Sequence, residues 1–161
     1  MSKKEFLLDQ LAVCRNEDSW IQPLSTALKG LSLEDALWKQ NEGSHSIGEI
    51  AKHLHFYNER WLKRFREKEV SAPVENPITF SAEGFTKMKW QELVQQLDEG
   101  LAEWQQEIEA ATESKLHEQI PHFPVDALWW GALSNLCTHN TYHIGQIIYI
   151  RKAQGSWKSK E

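Results

Sequence analysis

The residues of this chain most able to do chemistry are His139 and His143, set in Thr138-His139-Asn140-Thr141-Tyr142-His143-Ile144-Gly145-Gln146 inside a long apolar run near the C-terminus. Residues four apart on a helix differ by about 40° around the axis and one turn along it, so both rings can face one object. A divalent metal ion is such an object, because imidazole is the commonest protein ligand for borderline ions and a single rigid helix presents both nitrogens without distortion. The same spacing also suits a polar seam in a helix bundle, each ring hydrogen-bonded to a neighbour, and two ligands are rarely enough. A third ligand decides between the two readings.

His53 is the candidate. Ser46-Ile47-Gly48-Glu49 matches the capping box, in which the serine oxygen takes an orphan backbone N–H and the glutamate reaches back. A helix over residues 46–69 then carries Ile50, Leu54, Tyr57, Trp61 and Phe65 along one stripe, and His53 lies on or beside that stripe. His55 falls about 200° away, on the far face. Alone, His53 would read equally as a core histidine satisfied by a neighbouring oxygen. His45 lies outside any periodic pattern and reads as an exposed loop residue, and His117 and His122 read as peripheral.

The elements that must position these rings follow from apolar spacing. A first amphipathic helix is predicted over 4–29, with Pro23 kinking it or marking its last turns and Gly30 as a stop. A short turn of helix at 33–37 lies in the connection to the second. Residues 70–86, with Pro73, Pro77 and Gly84, fit an irregular crossover long enough to let the next helix run parallel to the last. The third helix spans 87–112, and residues 113–124 form a connection able to fold over the mouth of a site. The last helix, 125–153, has apolar residues on more than one stripe, so it is either central or covered on its second face by a partner subunit. The fold class is therefore all-α, a four-helix bundle with a long crossover between helices 2 and 3. With the second and fourth helices as neighbours, His53 meets His139 and His143, and three imidazoles leave coordination positions open, as in a catalytic rather than a closed structural site.

With 161 residues, 40% hydrophobic and 25% charged, the chain suits one globular domain, 1–161, with a sizeable core. A formal net charge of −5 gives no case for a nucleic-acid partner, and the apolar windows are too short to span a membrane. Glu5 and Asp9 interrupt the start of the chain, so no signal peptide is read and a cytoplasmic location is expected. Cys14 and Cys137 form no CxxC, which suits a reducing compartment, with a disulfide between them left open. The eight tryptophans are expected to be mostly core or interface.

Ser46-Ile47-Gly48-Glu49-Ile50-Ala51-Lys52-His53-Leu54, followed by His139-xxx-His143-Ile144-Gly145-Gln146, resembles the signature of the DinB-like superfamily, which includes YfiT-like metal-dependent hydrolases and the bacillithiol and mycothiol S-transferases. The resemblance covers nearly the whole chain in order and spacing. It implies a homodimeric bundle with one divalent ion, zinc, nickel or iron, on His53, His139 and His143, and a low-molecular-weight thiol such as bacillithiol as a further cofactor. Helical spacing marks Glu49, Asn135 and Gln146 as residues able to hold the far nitrogens of these rings. An ion there would activate water, for hydrolysis, or a thiol, for S-transfer. The alternative is a non-catalytic, stress-associated bundle whose metal stabilises the fold or senses a ligand, or a dimerisation module without metal. No nucleophilic triad is visible, since Cys137 lies about 200° from His139. The catalytic residues and the small-molecule substrate are not named by the sequence.

Overall fold

The computed structural model describes residues 1–123 and 125–158. It is all-α: α1 (Lys3–Arg15), α2 (Leu24–Leu28), α3 (Leu33–Leu37), α4 (Ile47–Phe65), a 3-10 turn (Asn76–Phe80), α5 (Lys87–Ala110), α6 (Glu113–Leu116) and α7 (Trp129–Ala153). Among the described residues no helix is long and apolar enough to cross a membrane.

Starts are set by local chemistry. Ser46 accepts from the Glu49 N–H while the Glu49 carboxylate accepts from the Ser46 N–H, so α4 begins where the capping box places it. The same device starts α1 at Ser2/Glu5 and α3 at Ser32/Asp35. Gly48, in the first turn of α4, is a close approach, since a Cβ there would lie 3.1 Å from both the Ala36 carbonyl and the Phe85 ring.

The helix expected over 4–29 is two helices. It stops at Arg15 with Asn16 as C-cap, and Trp20 in the intervening loop stands fully in solvent. Asn16, Asp18 and Ser19 are residue types that favour turns over helix interiors, and Pro23 lacks the N–H to continue a helix, so it precedes a new one instead. α7 begins at Trp129, four residues later than expected. Residues ahead of it are held extended by Ile120 N–H to Ala127 C=O and Trp129 N–H to Glu118 C=O. Of the eight tryptophans, Trp90, Trp104 and Trp129 are buried, whereas Trp20 is not.

The four long helices pack in a ring, α1 against α5 and α7, and α4 against α5 and α7. Side-chain contacts fix their directions. Arg66, just past α4, binds Glu103 and Glu107 near the end of α5, while Phe85, before α5, touches the start of α4 at Gly48, so α4 and α5 run the same way. Phe65 packs on Trp129 and His53 on His139, so α4 and α7 run oppositely. Residues 66–86 therefore return along the bundle, and their 3-10 turn lies against α4 beside His53.

Candidate metal centre

The second turn of α4 and the middle of α7 bring His53, His139 and His143 together, with one ring nitrogen of each lying within 4.8 Å of the others. His53 Nε2 is 2.9 Å from His139 Nε2. Directly below, a buried amide pair sets the stagger of the two helices. Asn58 Nδ2 donates to Asn140 Oδ1 at 2.7 Å, and Asn140 Nδ2 returns the bond to Asn58 Oδ1 at 3.0 Å.

The hydrogen bonds around the rings settle their tautomers. Thr79 spends its one hydroxyl proton on the Asn76 carbonyl at 2.6 Å, so it can only accept from His53 Nδ1–H, also at 2.6 Å. His53 Nε2 thus carries a lone pair aimed at the other rings. Gln146 Nε2 donates to the Tyr142 hydroxyl, and its Oε1 accepts from His143 Nδ1–H at 2.7 Å, which likewise bares His143 Nε2. Phe80 is stacked on His53 at 3.9 Å and carries His45 on its other face at 4.0 Å.

These surroundings keep the rings neutral. Burial, then the neighbouring imidazoles His143 and His139, push His53 down to about 3. Burial and His143 push His139 down to about 4. His143 is also lowered by burial, against the opposing effect of its bond to Gln146. A folded-state pKa below the unfolded value of about 6.5 means that the unfolded chain binds protons first. The stability from keeping these rings neutral is present above pH ~6.5 and is lost as pH falls towards the folded values. The urea midpoint of metal-free protein is thus expected to drop between pH 7 and pH 5, and to drop less in a His53→Ala/His139→Ala variant.

Three neutral, convergent imidazoles fit one divalent ion. Nitrogens about 2.05 Å from a tetrahedral ion lie about 3.3 Å apart, so closing 4.8 Å and opening 2.9 Å to that spacing needs only side-chain adjustment. A cavity of about 880 Å3 opens over the cluster.

The other residues singled out from sequence divide. Gln146 reaches His143. Glu49 does not reach a ring of the cluster: its oxygens take the Ser46 N–H, Lys39 Nζ and His45 Nδ1, and this ring of partners fully accounts for its place in the capping box. Asn135 lines the cavity, with no hydrogen bond to His139 among the described residues. Cys137 turns to α1, where Cys14 Sγ lies 3.6 Å from its carbonyl, and both thiols are free. His45 is an exposed loop residue, as expected, and in addition lines the cavity. Thr79, Phe80, Asn58 and Asn140 carry the site and were not singled out. For the first two the available signal was Asn76-Pro77, a proline in the first turn of a 3-10 helix, inside the crossover.

Residues 17–147 match the DinB superfamily. Neither a curated protein nor a solved structure matches the chain.

Proposed function

The chain belongs to the DinB superfamily, and from that membership and the convergence of its histidines we propose that it is a metal-dependent enzyme with one divalent ion, zinc, nickel or iron, on His53, His139 and His143. An ion held there supplies Lewis acidity that lowers the pKa of a water or thiol reaching it near neutral pH. The reaction class is hydrolysis or thiol transfer. The observation that carries the reading is the pair of Nδ1 protons drawn outward by Thr79 and Gln146, which leaves Nε2 of both rings bare beneath a large cavity. A metal that only braced the fold would need no such open space above it.

The chain's own residues do three things in this scheme. Thr79 and Gln146 hold the rings in one tautomer, Phe80 stacks on the plane of His53, and a mainly apolar cavity wall lines the space over the histidines. Loss of such a supporting hydrogen bond typically costs ~10–100-fold in metal affinity. Thr79→Val and Gln146→Leu are each expected to weaken zinc binding by about that factor, read by competition with a chromogenic chelator, with helix content unchanged.

The homodimer belongs to the same proposal. Tyr142 and Tyr149 project from α7 at 63% and 68% exposure and are the rings a second copy would cover. Tyr149→Glu would then shift sedimentation from dimer to monomer. Two free cysteines accord with a reducing, cytoplasmic setting.

The direct test is turnover. Protein loaded with each ion is assayed against esters, amides and thiol-transfer pairs. Metal-dependent turnover that is lost in His139→Ala with the bundle still folded supports the enzyme. Loss of thermal stability in that variant, with no turnover in either protein, contradicts it.

A further inference from the structure

The cavity above the histidines is long as well as large. His53 marks one end and Trp61 the other on α4, eight residues apart, or about 12 Å at 1.5 Å per residue. α7 lines it over the same stretch, from His139 back past Leu136 and Ala132 to Leu128, and Phe123 joins Trp61 at the far end. Its volume of about 880 Å3 lies within the range of small-molecule sites.

Its chemistry is lopsided. Among the described residues that line it there is no lysine, arginine, aspartate or glutamate. Most of its polar groups are already engaged: Tyr57 donates to Asn76 at 3.1 Å, and Gln146 holds His143 and Tyr142. Beyond the histidines, Asn135, the Asn76 amide N–H2 and the Tyr142 O–H are the uncharged groups left to address a polar group. Arg64 stands near the far end, its guanidinium 5.0 Å from the Trp61 ring and 5.4 Å from the Phe123 ring, but it is not part of the lining. Away from the histidine end, a carboxylate, phosphate or sulfonate in the slot would give up hydration against apolar walls and meet no cationic side chain among the described lining residues.

We propose that this site takes an uncharged, elongated, mainly apolar substrate, an aryl or alkyl compound about 12 Å long with its one reactive polar group at the histidines, and that it does not take a thiol cofactor bearing carboxylates. The inference rests on the metal-site reading only for which end of the substrate reacts. The nucleophile is then water or a thiol that carries no carboxylate.

Two fluorescent probes with the same aryl body separate charge from shape: N-phenyl-1-naphthylamine, which is neutral, and 8-anilino-1-naphthalenesulfonate, which adds one sulfonate. Both are titrated into the full chain, metal-free and zinc-loaded, with zinc content measured on the same samples. The neutral probe is expected to bind one per chain and at least about tenfold more tightly than the sulfonate. Gly131→Trp should block it. Gly131 lines the slot, a Cβ there meets no atom within 4 Å, and replacing a helical glycine favours the helix. Leu128→Asp is a second variant, placing a carboxylate at the apolar end at the N-cap of α7, where aspartate is favoured. Both variants are expected to weaken the neutral probe by at least about tenfold without changing zinc content or lowering the melting temperature. Equal or tighter binding of the sulfonate, or neutral-probe binding untouched by both variants, overturns the inference. Neutral-probe binding that both variants abolish, in protein that takes up no zinc, supports it and removes the metal instead.

Discussion

Alanine at position 139 is expected to abolish tight zinc binding and to leave the helical bundle intact. His139 supplies the nitrogen 2.9 Å from His53 Nε2, and without it His53 and His143 offer two ligands from two different helices. Two imidazoles do not make a zinc site of ordinary affinity, which takes three protein ligands or more. The loss should therefore exceed the ~10–100-fold expected for Thr79→Val or Gln146→Leu. The fold should survive because the ring is only partly buried and faces the cavity, while the apolar seams of α7 at Leu133, Leu136, Ile144 and Ile147 are untouched. Chelator competition and circular dichroism on the same samples measure both. Affinity within tenfold of the parent would mean that the three rings do not act as one site.

Asn140→Leu is expected to give the largest loss of stability among these changes. Asn58 and Asn140 are 5% and 2% exposed and satisfy one another, with the second N–H of Asn58 donated to the Leu54 carbonyl at 2.8 Å. Removing one amide leaves the other without its partner in a dry interface, which costs about 1–3 kcal/mol, and replacing both by leucine restores an apolar contact of similar shape. Urea denaturation of metal-free protein should show Asn58→Leu/Asn140→Leu less destabilised than the sum of the single variants. The single variants should also weaken zinc, because this pair sets the stagger of α4 against α7 one turn from the histidines. Strict additivity would show that the amides do not act as a pair.

What could be read from the sequence was whatever rests on local periodicity. The His139/His143 spacing survives folding because an uninterrupted helix carries it, and the Ser46/Glu49 capping box fixes the start of α4 and hence the height of His53. Less legible was anything decided by another part of the chain. Trp20 and Ile21 suggest that the apolar stripe resumes after the polar run 15–19, yet Trp20 stands in solvent and the helix stops at Arg15. Thr79 and Phe80 reach His53 only because the returning segment folds back on α4, a long-range event that the local Asn76-Pro77 turn signal does not specify. Asn58 and Asn140 look in isolation like polar interruptions of apolar stripes, and only their juxtaposition across the bundle makes them a lock. Glu49 shows the converse. Its spacing from His53 suited a supporting role, but the capping box and Lys39 engage it.

The most direct measurement is X-ray absorption on untagged protein carrying one equivalent of zinc. The account predicts a first shell of nitrogen or oxygen at about 2.0–2.1 Å and the outer-shell scattering of three imidazoles, a signal lost with the bound zinc in His143→Ala. A sulfur shell near ~2.3 Å, or imidazole scattering unchanged by that substitution, would contradict it and place any bound metal elsewhere.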